Sequence, residues 1–476
     1  MSGFLSKERI TAGPSFNRWL VPPAALAVHL SIGQAYAFSV FNEPMTRIIG
    51  ISESGQGDWS LATLGWIFSI AIVFLGLSAA VFGSWVERSG PRKTMFAAAC
   101  CFGGGFLVSA LGVWTHQIWL VYLGYGVLGG IGLGLGYISP VGTLIRWFPD
   151  RRGMATGMAI MGFGGGALIG SPLAVGLMNF YATDASVGVA PTFITMGTLY
   201  FISMCLGAFV VRVPPEGWAP EGYTPPSESN SMITTHSVHV RDAHKTPQFW
   251  FLWVILCFNV TAGIGVLGQA SVMIQETFGG AITAAAAAGF VGLLSLFNMA
   301  GRFIWSSASD YIGRKATYFI FFGLGTALYA LIPIFGSGLG SVFLFVLAFG
   351  IILSMYGGGF ATIPSYLADI FGTKYVGAIH GRLLTAWAVA GVLGPVLVNY
   401  IRQFQVDAGV APANAYNTTM FIMAGLLVIG FICNLLVKPV DPKFHISDED
   451  PGEGAEKSKR GSESSASRSS NRPAEA

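Results

Sequence analysis

The chain has 476 residues, 53% of them hydrophobic and only 10% charged, against roughly a quarter charged in soluble domains. That deficit overrides the reading of such a length as several soluble domains. The 26 basic and 23 acidic residues nearly cancel, which argues against a nucleic-acid partner.

Residues 1–18 are polar and carry Lys7, Arg9 and Arg18. No small-residue cleavage site precedes the first apolar run, so that run is expected to be an uncleaved anchor and not a signal peptide. A helix needs about 20 apolar residues to cross a hydrocarbon core of about 30 Å. Twelve stretches qualify, near 19–42, 63–83, 95–114, 118–146, 153–181, 190–212, 249–275, 281–307, 316–335, 340–369, 376–401 and 413–437. They are long and continuous, which favours helices over the short alternating strands of a barrel. The five cysteines all fall inside apolar stretches without a C-x-x-C pair. They read as small buried residues, with no metal site or cofactor implied.

Between spans 2 and 3 lies a charged turn with Gly83, Glu87, Arg88, Gly90, Pro91, Arg92 and Lys93. It returns after span 8 as Asp310, Gly313, Arg314 and Lys315. Gly90 and Gly313 are 223 residues apart, as are Phe148 and Phe371, and Pro172 and Pro395. Three matches in order predict two parallel repeats of six spans with a pathway at their interface. The predicted fold is therefore an all-α membrane protein of twelve transmembrane helices in two six-helix bundles. The expected divisions are an N-terminus 1–18, a bundle 19–212, a linker 213–248 rich in Pro, Glu and Ser, a bundle 249–437, and a disordered tail 438–476.

Basic residues cluster after spans 2, 4, 8 and 10, including Arg146, Arg151, Arg152 and Lys374. The opposite loops hold Glu43, Glu53, Asp58, Asp184 and Glu276 beside Arg47 and Arg402. The positive-inside bias places both termini and the linker in the cytoplasm, with the chain in the cell's inner membrane. Topology explains the basic turns but not the acid inside each one. Glu87, Arg88, Arg92, Lys93, Asp310 and Arg314 are therefore expected to gate the two halves. Arg382, beside His380 at the start of span 11, is expected to be a gating or snorkelling charge. Glycines recur every four residues in span 4 (Gly126, Gly130, Gly134) and span 5 (Gly162, Gly166, Gly170). They predict close helix packing, with a sliding surface as the sharper alternative.

Arg302 lies eight residues before Asp310, about 12 Å along a helix and so near mid-membrane. A guanidinium at that depth is costly unless it faces water or an anion, and its planar fork fits a carboxylate. Asn298 lies one turn away on the same face. Gln34 and Tyr36 in span 1, Tyr137 in span 4 and Tyr356 in span 10 are neutral donors at plausible depths. No Asp or Glu lies deep in a span, and His29 is read as the only deep histidine. That favours exchange or electroneutral anion movement over a carboxylate proton relay. Gly263, Gly265 and Gly268 match G-x-G-x-x-G but sit inside span 7 without a preceding strand, so a dinucleotide site is rejected.

With twelve spans, two repeats and the G-x-x-x-[DE]-R-x-G-x-[RK]-[RK] turn, the chain resembles a major facilitator superfamily transporter. Glu87 and Pro91 depart from the commoner residues but keep the acidic–basic pattern. Asn17-Arg18-Trp19, Tyr36 to Phe41, Arg146-Trp147-Phe148-Pro149-Asp150-Arg151-Arg152-Gly153, Asn298 with Gly301-Arg302, and Gly391 to Gly394-Pro395 narrow the likeness. Over about residues 17–437 they resemble the oxalate/formate antiporter family, which includes monocarboxylate carriers. The resemblance implies that Arg302 contacts substrate, and that Trp387 stands where the family has a lysine for a second carboxylate. The expected cargo is thus a monocarboxylate such as lactate, pyruvate or formate, with oxalate in second place and Trp387 lining the site. The expected protein is not an enzyme and works as a monomer in the bilayer by exchange or secondary active transport. Drug efflux and ligand sensing are the alternatives.

Overall fold

The computed structural model describes residues 7–215, 217–223 and 232–446. Twelve long helical segments follow one another. They are α1 (Arg18–Met45), α2 (Leu61–Ser89), α3 (Pro91–Trp114), α4 (Ile118–Trp147), α5 (Arg152–Tyr181) and α6 (Val189–Val210), then α7 (Pro247–Phe278), α8 (Ala284–Ile312), α9 (Arg314–Gly338), α10 (Val342–Phe371), α11 (Val376–Asp407) and α12 (Pro412–Leu436). Eleven of them meet a bilayer-crossing standard of length and hydropathy over the described residues. At 29 residues α8 is long enough as well. In lipid the backbone must satisfy itself, which forces these apolar runs into helices. Large side chains such as Trp114, Phe180, Phe343 and Phe404 stand exposed on the outer surface. In water that would be an aggregation hazard; in a bilayer it is the solvated face.

The helices run past the apolar stretches that mark them in sequence. α3 starts at Pro91 and not near 95, because the chain reverses only at Gly90, where φ is 79°. Gly313 does the same before α9 at φ 86°. A positive φ is cheap for glycine alone, so both copies of the charged turn keep it. Side-chain caps begin other helices: Ser60, Thr246, Thr283 and Ser341 each accept from a backbone N–H three residues on.

Helices α1–α6 and α7–α12 form the two six-helix bundles. The glycine rows of spans 4 and 5 pack inside the first. A Cβ at Gly130 or Gly134 would strike α2, and one at Gly162 or Gly166 would strike α1. The glycines that let the two halves approach are others. Gly153, Gly157 and Gly164 on α5 face Ser306, the Arg302 carbonyl and the Arg302 side chain on α8. Gly83 on α2 faces Ala378 on α11.

Gly301 seats α8 against α10, where a Cβ would run into the Ser354 carbonyl oxygen. That atom is backbone and cannot swing aside. Gly301→Ala is expected to cost about 1–3 kcal/mol of packing strain. The check is a lower melting temperature by size-exclusion chromatography after heating.

The linker and the termini meet at the end of the bundle that carries the basic turns, called here the basic end. Thr11 pairs with Val213, and Val238 with His445. Residues 438–446 hold the short turn Pro442–Phe444 and pair with the linker through Ile446 N–H to Ser237 O. The rest of the tail that the sequence marks from residue 438, residues 447–476, lies outside the described residues. His236 stacks on His445 at 5.0 Å. Burial first, and the His236 imidazole second, hold His445 below the ordinary histidine value.

Candidate functional site

Arg302 is fully buried at the junction of the two halves. Its Nε donates to Asn298 Oδ1 at 3.1 Å, one turn back on α8, and Nη1 reaches Ile160 O on α5 at 3.5 Å. Nη2 has no partner among the described residues. The guanidinium lies 5.3 Å from the Phe360 ring and 5.7 Å from Phe163. A ring face tolerates a cation but satisfies none of its N–H donors, so the geometry leaves donor capacity for an anion.

Around Arg302 the aromatic rings form a cage shared by both halves. Trp387 lies 4.3 Å from Phe360, 5.2 Å from Phe163 and 5.5 Å from Tyr137. Tyr36 stands 5.1 Å from Phe163, and its hydroxyl meets that of Tyr356 at 3.0 Å. Tyr137 and Phe360 face each other at 5.6 Å. They are also repeat counterparts, 223 residues apart. Tyr137 Oη and Trp387 Nε1 are buried without partners among the described residues.

The structure thus brings Arg302, Asn298, Trp387, Tyr36, Tyr137 and Tyr356 together. Gln34 is the exception. Its Oε1 accepts from Tyr125 at 3.0 Å inside the first half, where it holds α1 to α4. Two cage residues, Phe163 and Phe360, were missed because apolar side chains inside apolar spans carry no signal. A glycine neighbourhood is their one mark: Gly162 and Gly164 to Gly166 flank Phe163, and Gly357 to Gly359 precede Phe360. His29 is not the only buried histidine either. His380 on α11 is equally buried, with its ring 5.7 Å from Tyr137.

A second cluster ties the halves at the basic end. Asp310 on α8 accepts from the N–H groups of Gly153 and Met154, both at 2.8 Å, at the start of α5. Glu87 on α2 accepts from Gly377 N–H at 3.0 Å, at the start of α11. Met154 and Gly377 are themselves 223 residues apart, so each half caps a helix of the other in the same way. A carboxylate there meets the positive end of the helix dipole. Glu87 also pairs with Arg146. Asp369, near the end of α10, pairs with Arg152 of the other half at 2.9 Å and with Arg314 at 3.2 Å. Arg314 in turn holds Asp310 at 2.6 Å.

Arg88, Arg92 and Arg382, also expected at the gate, make further contacts. Arg92 Nη2 donates to Phe209 O at the end of α6, within its own half. Arg88 Nε donates to Ser84 O on its own helix. Arg382 Nη1 contacts Val240 O at 2.7 Å and His244 Nδ1 at 3.0 Å, holding the linker's end to α11. Asp369 was missed in the sequence although a signal existed. It is the repeat counterpart of Arg146, with the charge inverted.

The sequence pattern of the Major Facilitator Superfamily matches residues 24–395 and 300–462. The chain is 29% identical over 429 residues to the oxalate:formate antiporter of Oxalobacter formigenes, covering 89% of this chain and 92% of that protein. It is 23% identical to apicoplast pyruvate carrier 1 of Toxoplasma gondii, over 81% of this chain and 77% of that one. The crystal structure of the Escherichia coli fucose:proton symporter superposes with a TM-score of 0.62 at 14% identity, covering 88% of this chain and 99% of that chain. Duplicated capping turns, two six-helix bundles and a buried site between them agree with these matches: the chain belongs to the Major Facilitator Superfamily and is a multi-pass membrane transporter of that fold.

Proposed function

We propose that the protein is a secondary transporter of small organic anions, working by exchange or electroneutral movement in the cell's inner membrane. Both termini face the cytoplasm, the chain acts as a monomer, and the halves rock about the Arg302 cage. The observation that carries this reading is the fully buried guanidinium with one unpartnered nitrogen, set among rings from both halves. Its fork would grip one carboxylate, the Tyr36, Tyr137 and Tyr356 hydroxyls and the Trp387 N–H would orient it, and the rings would cover a short carbon chain. The named activities of the two relatives, an oxalate:formate antiporter and a pyruvate carrier, are of this class.

The test is uptake by the purified chain in liposomes preloaded with unlabelled anion, using formate, lactate, pyruvate and oxalate as labelled cargo. Saturable exchange of at least one is expected. Flux of none, with the folded protein inserted, refutes the reading.

Selectivity follows from the single permanent cation. Trp387→Lys would set an ammonium beside the guanidinium, and is expected to raise the preference for oxalate over lactate by about tenfold, one properly solvated charge pair being worth about 1–2 kcal/mol. Competition of each anion against labelled formate reads that ratio.

A further inference from the structure

Six polar atoms in or beside the cage have no partner among the described residues: Arg302 Nη2, Trp387 Nε1, Tyr137 Oη, His29 Nδ1 and both ring nitrogens of His380. Interiors rarely leave such groups unmet. His380 is the extreme case. A neutral imidazole offers one donor and one acceptor, an imidazolium two donors, and here neither nitrogen is engaged. His380 and Trp387 lie seven residues apart on either side of a turn at Leu384. Tyr137 touches both rings, at 5.7 Å and 5.5 Å. His29 approaches Tyr137 at 5.4 Å, but its Nε2 already meets Tyr137 O at 3.3 Å.

Charge balance gives this orphan a use. Arg302 supplies one positive charge, which matches one carboxylate. A second carboxylate would enter a buried compartment unmatched, and that is costly. Trp387 cannot supply the missing cation; His380, whose ring packs on the same Tyr137, can.

We propose that His380 is the second, titratable cation of the carboxylate site. A cargo with two carboxylates brings one proton onto His380, and a cargo with one carboxylate does not. The inference rests on the carboxylate reading above. The proton comes from the water on the side where the dianion enters, rides on the imidazole, and is released on the other side with the cargo. No covalent bond in the cargo changes. The loaded site is neutral in both cases, with Arg302 against a monoanion, or Arg302 and protonated His380 against a dianion. Exchange of a dianion for a monoanion then moves one proton with the dianion and no net charge.

Tyr137 of α4 packs on the His380 ring and His29 of α1 lies near it, while Tyr36 of α1, Arg302 of α8 and Tyr356 of α10 belong to the adjoining cage. Toward the basic end are Glu87 with Arg146, Asp369 with Arg152 and Arg314, and Arg382 on α11 itself with His244, Asp242 and Lys245 of the linker's end. The cations among them are already engaged, Arg146 with Glu87, Arg152 and Arg314 with Asp369, Lys245 with Asp242, and Arg382 with Val240 O and His244, so the second carboxylate is left to His380.

The experiment uses the full chain in liposomes, with oxalate as dianion and formate as monoanion, between about pH 5.5 and about pH 8, where histidine titrates. Oxalate affinity is expected to fall with rising pH, approaching about tenfold per unit as required for one linked proton, while formate affinity stays level. In weak buffer, oxalate binding should take up about one proton and formate binding none. His380→Gln keeps hydrogen bonding but cannot titrate. It should weaken oxalate by about tenfold or more, flatten its pH profile, and affect formate far less. His29→Gln should leave both profiles in place. Parallel profiles for the two anions, no proton uptake with oxalate, or an unaltered oxalate slope in His380→Gln each overturn the proposal. If neither anion binds or moves, the transport reading falls and this one with it; if both move with coincident pH profiles, only the role of His380 falls. Should His380→Gln fail to fold, the proton count on the unaltered chain still decides.

Discussion

Arg302→Ala is expected to lower exchange of every carboxylate by about 100-fold or more at subsaturating concentration, since truncating one partner of a desolvated charge pair costs about 2–5 kcal/mol. Arg302→Lys keeps the charge but loses the planar fork, and should retain a part of the activity. The rival role for Arg302 is a brace between α8 and α5 through Asn298 and Ile160 O. Stability separates the two. A brace stabilises the empty protein, and its removal lowers the melting temperature. A ligand-binding cation is a liability without ligand, because a buried guanidinium with an unmet donor is costly. Arg302→Met fills the space without the charge. It is expected to leave the melting temperature of the empty protein equal or higher, and to abolish the upward shift that carboxylate gives the unaltered chain. A lower melting temperature together with a preserved ligand shift would assign Arg302 to bracing.

Much of this was legible in the sequence, and the reasons are particular. The spans are legible because a bilayer demands length and hydrophobicity together. Arg302 and Asn298 are legible as a pair because helical spacing puts residues four apart on one face. The capping turns were found through their 223-residue repeat, which preserved both the acid and the glycine. Phe163 and Phe360 were not legible, since one phenylalanine among the many in these spans looks like any other. Gln34 misled for the complementary reason: a polar tip at the right depth points to the site only if its helix is turned that way, and α1 turns it to Tyr125. The rotation of each helix is set by packing, which periodicity does not report when every face is apolar.

The second large effect is expected at Asp369. It is buried between Arg152 of one half and Arg314 of the other. Asp369→Ala leaves two guanidiniums facing each other without a carboxylate, and removing one member of a buried charge cluster costs about 3–5 kcal/mol. Because Arg152 lies across the interface, part of that cost falls only on the state closed at the basic end, and the population should shift toward opening there by about tenfold or more. Spin labels at Arg151 and Tyr311, both exposed on opposite halves, would read the shift as a longer distance in a cysteine-free background. The repeat supplies an internal control. Glu87 accepts one backbone N–H across the interface and Asp310 accepts two, so Asp310→Asn should open the basic end more than Glu87→Gln. If Asp369→Ala leaves the label distance unchanged while lowering the melting temperature, the cluster holds α10 to α9 within one half and does not gate.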